Sequence, residues 1–143
     1  MIITALALAT AAAFTGAAAY VNWCEQPARL TLDDTSLLQE WKLSYANGTR
    51  MQASLALVSG LLGLAAFYFE HRAMAAVGGI LMLANWPYTL LVIMRTNRQL
   101  GAMTGADAAA RPLIKKWGRL HAVRTLLGFA GLLAFLLAAV AAS

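Results

Sequence analysis

A histidine and an arginine lie one helical turn apart at the start of the last apolar run of the sequence. Trp117, His121 and Arg124 follow the i, i+4, i+7 spacing that puts side chains on one face of a helix. Histidine is the side chain best suited to take a proton near neutral pH, and arginine can hold an oxyanion. Together they could remove a proton from an acidic substrate and stabilise the resulting anion.

A second polar group closes the first apolar run. The spacing i, i+3, i+4, i+7 relates four residues there: Asn22, Glu25, Gln26 and Arg29. Pro27 distorts the last turn of this run and makes the directions of Glu25 and Arg29 less predictable. Arg50 opens the second apolar run. A carboxylate, a histidine and several arginines are a set suited to acid–base work and oxyanion binding.

Four long apolar runs must position these polar groups. They extend from Ile2 to Trp23, from Met51 to Phe69, from Ala73 to Met94 and from Leu120 to Ala142. Each is close to the ~20 residues that a helix needs to cross the hydrocarbon core of a bilayer. With 61% hydrophobic and 12% charged residues among 143, the composition excludes an ordinary soluble domain. We predict an all-α membrane protein: one domain over residues 1–143, with four transmembrane helices (about 2–23, 51–69, 73–94 and 120–142) in an up-down-up-down bundle.

Such a bundle brings the polar groups to a common depth. The ends of spans one and three and the starts of spans two and four all lie at one face when the chain crosses the membrane four times. We therefore expect Glu25, Arg29, Arg50, His121 and Arg124 to form one cluster. Ionisable groups at such a depth are costly and are functional candidates. The alternative is that Glu25 pairs with an arginine only to neutralise charge at the interface.

Lysines and arginines are distributed unequally between the two ends of this predicted bundle. The two longer connections carry nine: Arg29, Lys42, Arg50, Arg95, Arg98, Arg111, Lys115, Lys116 and Arg119. The short connection at the other end carries only Arg72. The positive-inside rule then predicts a multi-pass protein of an inner, cytoplasmic-type membrane. Both termini are expected outside and the two longer loops in the cytoplasm.

The connection between the first two spans contains an amphipathic segment. One face carries the apolar residues Leu37, Leu38, Trp41 and Tyr45, and the N-cap candidates before it are Asp33, Asp34 and Thr35. The pattern predicts an interfacial helix between spans 1 and 2, which either lies at the membrane surface or leads into the second span. Thr49 and Gln52 fit a capping box that would open the second span.

Metal and haem sites have little support in this sequence. Its two histidines, His71 and His121, are expected at opposite ends of the spans, separated by roughly ~30 Å of hydrocarbon. They could not bind one ion within a protomer, and no motif accompanies a single-histidine haem. We expect no metal and no cofactor. The expected partners are membrane lipid and a small aromatic or amphiphilic substrate, with homo-oligomerisation left open and nucleic acid excluded.

Five stretches of the chain carry a resemblance to a known family: Tyr20-Val21-Asn22-Trp23-Cys24-Glu25-Gln26-Pro27-Ala28-Arg29, Trp41-x-x-x-Tyr45, Asn85-Trp86-Pro87-Tyr88-Thr89, Asn97-x-x-Leu100 and Trp117-x-x-x-His121-x-x-Arg124. In this order, at the ends of the spans, they resemble small four-span membrane proteins of a domain-of-unknown-function family that includes anthrone oxygenases of polyketide pathways. The resemblance implies an anthrone-type monooxygenase, an oxidoreductase that turns an anthrone into an anthraquinone with O2 and without an evident metal or flavin.

The side chains are chemically consistent with such a cofactor-free oxidation at a cytoplasmic-side cavity. Removal of a proton from an acidic C–H of a planar polyphenol leaves an electron-rich carbanion that can reduce O2 directly. His121 is the natural base, and Glu25 is a second acid–base candidate. The substrate oxyanion could be held by Arg124, Arg29 or Arg50.

The remaining candidates are aromatic and amide side chains near the same face. Trp86, Tyr88 and Trp117 could stack on a planar aromatic substrate that arrives from the lipid. Asn22 and Asn85 could orient His121 or the substrate through hydrogen bonds. Two other classes stay open on these residues alone. One is a non-catalytic membrane module that binds a quinone, a lipid or another amphiphile, and the other is a structural subunit of a membrane complex.

Overall fold

The computed structural model of the protein describes residues 1–105 and 108–141, and within them it contains helices and no strand. Four helices are long and apolar enough to cross a membrane: α1 (Ile2–Arg29), α2 (Asp34–Glu70), α3 (Ala73–Ala102) and α4 (Ala110–Val140). This confirms the predicted all-α, four-span class. Ala142, the last residue of the predicted fourth span, lies outside the described residues.

The second helix begins well before the apolar run that it contains. Asp33 is its N-cap, and one carboxylate oxygen accepts hydrogen bonds from the backbone N–H groups of Thr35 and Ser36, both at 3.1 Å. The amphipathic segment therefore leads into the second span as part of one helix. The predicted capping box at Thr49 and Gln52 is wrong, because both residues lie in the interior of α2.

Each helix packs beside two others around a common core: α1 contacts α2 and α4, and α3 also contacts α2 and α4. The beginning of α1 meets the end of α2, where the backbone N–H groups of Ile3 and Thr4 donate to the carboxylate of Glu70 at 2.9 and 3.0 Å. At the interface of α2 and α3, a Cβ atom on Gly79 would lie 2.8 Å from the carbonyl oxygen of Gly60. The two backbones thus approach closely enough to require glycine.

Two apolar clusters divide the bundle along its length. One includes Phe14 and Phe135 together with many alanines, and the other includes Trp41, Ile93 and Trp117. Several buried polar side chains, among them Gln52, His121 and Arg124, lie between the two clusters. Along α4, His121 and Arg124 follow Trp117 and precede Phe135. The helix bundle therefore encloses a layer of polar side chains between the two apolar clusters.

Two short π-helical segments interrupt the long helices at this layer. One covers Val21–Glu25 in α1, and the other covers Thr89–Ile93 in α3 and begins two residues after Pro87. Thr89 Oγ1 donates to the carbonyl of Asn85 at 2.7 Å. Proline removes one backbone donor and disturbs the regular ladder. π-Helical turns frequently accompany functional sites.

Candidate functional site

The ring of His121 is oriented by an amide from α1. Asn22 Nδ2 donates to the carbonyl of Gly118 at 2.9 Å, so Asn22 Oδ1 faces the other way. That oxygen accepts from Thr125 Oγ1 at 2.7 Å and lies 2.9 Å from His121 Nδ1. An amide oxygen can only accept, and the bond to Gly118 fixes which end of the amide is oxygen. His121 Nδ1 must therefore carry a proton.

The other ring nitrogen of His121 faces Gln52. His121 Nε2 lies 3.3 Å from Gln52 Oε1, and both side chains are buried. A protonated Nε2 can donate to that oxygen. A neutral ring with its proton on Nδ1 instead requires the amide of Gln52 to turn and present its NH2 group. Gln52 can therefore accompany His121 in either protonation state, with Nε2 as the nitrogen that gains or loses the proton.

Aromatic rings cover one side of the histidine. The ring centres of Trp117 and His121 are 5.0 Å apart. Trp41 meets Trp117 edge-on at 5.8 Å and stacks on Tyr45 at 4.8 Å. These rings cover one side of His121 with apolar surface.

Arg29 is a buried arginine whose charge is compensated. It forms ion pairs with Glu25 and with Glu40, the latter at 2.9 Å between Nε and Oε2, and it donates to Ser44 Oγ at 2.9 Å. Its guanidinium carbon lies 5.5 Å from the ring centre of Trp117. These contacts explain why an arginine is tolerated at this depth.

Arg124 is equally enclosed, with 8% of the residue exposed, but its charge is not compensated in this way. None of the ion pairs within residues 1–105 and 108–141 includes it. Its Nε atom has no hydrogen-bond partner in the same part of the chain, and because the same is true of Arg29 Nε and Nη1, the ion pairs are what distinguish the two arginines. The guanidinium carbon of Arg124 lies 5.7 Å from the ring centre of Phe14. Arg124 is therefore a buried arginine without a carboxylate partner among these residues.

Two cavities meet at Arg124. The first has a volume of about 490 Å³ including its open mouth, and its wall includes Glu25, Tyr45, Gln52, Asn97, Trp117, His121 and Arg124. The second has about 540 Å³ and is mostly apolar, with a wall that includes Ala53, Ala56, Asn85, Trp86, Leu90 and Arg124. Thr49 and Thr89 also line both cavities.

The other residues predicted for the site are more dispersed. Asn85 and Trp86 line the second cavity, and Trp86 Nε1 donates to the carbonyl of Ala53 at 3.2 Å. Tyr88 uses its hydroxyl to donate to the carbonyl of Leu120 at 3.1 Å. Arg50 lies on the exposed side of α2 and lines neither cavity. The sequence predicts how deep Arg50 lies along the bundle, but the rotation of α2 about its own axis places its side chain on the outer surface.

Sequence reasoning left Gln52 and Asn97 out of the site. Both are buried polar residues in the wall of the first cavity. An amide within or next to an apolar run is the signal that could have found them, because a buried amide needs partners. As for metals, no group of three or more His, Cys, Asp and Glu side chains in the described ranges could hold an ion.

Fold and site together define a four-helix membrane protein that encloses a polar cavity with a histidine and an arginine that has no carboxylate partner in the described part of the chain. The family described as anthrone oxygenase matches residues 41–134. An anthrone oxygenase of Claviceps purpurea (strain 20.1) is 32% identical over 122 aligned residues, which cover 71% of this chain and 69% of that protein. The chain belongs to the anthrone oxygenase family. No solved structure matches it.

Proposed function

We propose that the protein oxidises an anthrone-type phenol to the corresponding quinone with O2, without a cofactor, in the cavity that His121 and Arg124 line. The observation that carries this proposal is the contrast between the two buried arginines. Arg29 is held by Glu25 and Glu40, whereas Arg124 has no carboxylate partner among the described residues and lines the same cavity as His121. A buried cation beside a base suits a substrate that becomes an anion there.

In the first step, His121 Nε2 takes a proton from the acidic methylene carbon of the anthrone. Asn22 supports this role because it holds the other proton on Nδ1 and leaves Nε2 to accept. Gln52 Oε1 can then accept a hydrogen bond from the newly protonated Nε2. We assign proton removal to His121 rather than Glu25, because the carboxylate of Glu25 is bound to Arg29.

The anion that remains is a phenolate, with its negative charge on the former ketone oxygen. Arg124 would bind this oxygen, and Trp117 offers a ring surface to a planar substrate. One electron passes from the anion to O2, and the two radicals combine into a peroxide at the former methylene carbon. The peroxide takes the proton from His121, and the remaining C–H proton and hydroxide leave as water. One O2 thus supplies the ketone oxygen and one water.

The second cavity suggests how an apolar substrate reaches this site. It is mostly apolar, it meets the first cavity at Arg124, and its wall includes the exposed residues Trp86 and Leu90. We propose that the substrate arrives from the lipid between α2 and α3 and orients its oxygen towards Arg124. We further propose an inner-membrane location with both termini outside and the longer loops in the cytoplasm, supported by the nine Lys and Arg residues in those loops.

Purified protein mixed with an anthrone under air tests the proposal. O2 uptake and quinone absorbance should exceed the rate without protein, and they should persist after treatment with a metal chelator. His121→Ala should lower kcat by about 10²- to 10⁴-fold, as expected for loss of a general base. Its thermal unfolding should remain cooperative.

His71→Ala is the matched control, because His71 is exposed at the distant turn between α2 and α3. It should leave the rate unchanged. Absence of O2 uptake with several anthrones would contradict the proposed oxidation. Substrate binding without turnover would then favour a module that binds a quinone or another amphiphile. Activity lost to the chelator and restored by a metal would contradict the cofactor-free scheme.

A further inference from the structure

Asn97 is a buried amide that the proposed reaction does not use. It lies on α3, it is 5% exposed, and it forms part of the wall of the cavity that contains His121. Neither its Oδ1 nor its Nδ2 has a hydrogen-bond partner within residues 1–105 and 108–141. The other buried amides at this level each have at least one such contact: Gln26 with Ile114, Gln52 with His121 and Asn85 with Met82, whereas Asn97 has none in these ranges.

An amide in this state is unfavourable unless something in the cavity binds it. Both ends of the Asn97 side chain lose their bonds to water on burial, and the described residues supply no hydrogen bond in return. The neighbouring residue Thr96 is also buried, so Asn97 is not displaced to a surface where water replaces the lost contacts. Such exceptions among buried polar groups call for a specific explanation. A ligand that fills the cavity provides one.

The chemistry of the amide defines the ligand that fits. Oδ1 accepts a hydrogen bond and Nδ2 donates one, so Asn97 suits a substrate with a hydroxyl that can do both. A bare aromatic ring offers neither. Arg124 belongs to α4 and Asn97 to α3, so two different helices present polar groups to the same bound molecule.

We propose that Asn97 is a specificity-determining residue that binds a phenolic hydroxyl of the substrate. This rests on the proposed function, in which Arg124 binds the oxygen that becomes charged. Asn97 contacts a hydroxyl that does not react. It therefore contributes to the choice of substrate and leaves proton removal to His121.

The test compares two substrates, 1,8-dihydroxyanthrone and unsubstituted anthrone, on two variants. Asn97→Leu has a similar size but no hydrogen-bonding groups. It should lower kcat/KM for the dihydroxy compound by about 10- to 100-fold and leave that for unsubstituted anthrone within about twofold. Asn47→Leu is the control, because Asn47 is exposed on α2 and donates only to the carbonyl of Leu43. It should change neither value.

Thermal unfolding without substrate gives a second readout. Asn97→Leu should unfold at a higher temperature than the natural protein, because it replaces an unpartnered buried amide with an apolar group. Equal loss for both substrates, or no loss for either, would overturn the proposal. So would a lower unfolding temperature, which would mean that Asn97 has a structural partner.

Binding measured under argon separates this proposal from the proposed oxidation. Quenching of tryptophan fluorescence by each anthrone gives its dissociation constant. The natural protein should bind the dihydroxy compound more tightly than unsubstituted anthrone, and in Asn97→Leu the two constants should become similar, even if no turnover occurs. An unchanged ratio would contradict the role of Asn97 while leaving the oxidation intact. If the two constants become similar in Asn97→Leu but the natural protein takes up no O2, the proposed oxidation is contradicted and the proposed role of Asn97 in recognition is supported.

Discussion

Replacement of the two buried arginines by methionine should change stability in opposite directions. In Arg124→Met, the substitution removes a buried charge that has no carboxylate partner among the described residues. A charge of this kind in a membrane helix costs about 2.5–3.5 kcal/mol. The substitution also removes the contact with Phe14, and contacts of this kind are worth about 0.5–2 kcal/mol. The balance predicts a stabilisation of about 0.5–3 kcal/mol.

Arg29→Met is the matched control. It leaves Glu25 and Glu40 without their common cation. Removal of one partner of a buried ion pair costs about 3–5 kcal/mol. The lower end of that range applies, because the side chains of Glu25 and Glu40 are 25% and 33% exposed and retain some water. Arg29→Met should therefore destabilise the protein.

Unfolding in detergent, without substrate, compares the two variants with the natural protein. Arg124→Met should unfold at a higher temperature and Arg29→Met at a lower one. Turnover of an anthrone should nevertheless fall in Arg124→Met by about 10²- to 10³-fold, because the oxyanion loses its cation. A stabilised but inactive variant is the signature of a residue kept for function.

One result would refute this reasoning directly. If Arg124→Met destabilises the protein as much as Arg29→Met does, then Arg124 has a structural partner. Its charge would then be compensated within the fold and not available to bind the substrate. If Arg124→Met is more stable and retains full turnover, Arg124 is not the group that binds the oxyanion.

Two further predictions concern packing and topology. Gly79→Ala should destabilise the protein by about 1–3 kcal/mol, because the new Cβ would lie 2.8 Å from a backbone oxygen of α2. Gly16→Ala is the control: its Cβ meets nothing within 4 Å, so it should stabilise the protein by up to about 1 kcal/mol. Unfolding curves that show equal effects for the two variants would contradict the close approach of α2 and α3. For topology, a membrane-impermeant maleimide applied to intact cells should label Ala73→Cys and not Gly105→Cys, each in a background in which Cys24 is replaced by serine. Labelling of Gly105→Cys from outside would reverse the proposed orientation.

The sequence by itself determined the class of fold and the depth of each polar residue. Apolar runs of spanning length predict the four helices, because a helix rises a fixed distance per residue and the bilayer has a fixed thickness. The same arithmetic puts Asn22, Gln52, His121 and Arg124 near one level. The i, i+3 relation of His121 and Arg124 also fixes their common face, since it depends only on helical geometry.

Only the tertiary structure decided how each helix is rotated about its axis. Depth does not determine rotation, because each residue turns the side chain by about 100° and packing selects the angle. The close contact of α2 and α3 at Gly60 and Gly79 sets one such angle. At the rotation that α2 adopts, Gln52 faces His121 and Arg50 faces outward. The sequence could not distinguish them, since both lie at the start of the same run.

The charge partners were decided in the same way. From the sequence, Glu25 could pair with any of several arginines at its level. In the structure Glu25 pairs with Arg29, and Arg29 also pairs with Glu40. Glu40 reaches Arg29 because α2 extends without a break from Asp34 through the segment between the first two spans. Arg124 is consequently left without a carboxylate in the described chain. The Arg29–Glu40 pair joins α1 to α2, so no single segment of the sequence contains it, whereas Glu25 and Arg29 are one turn apart on α1.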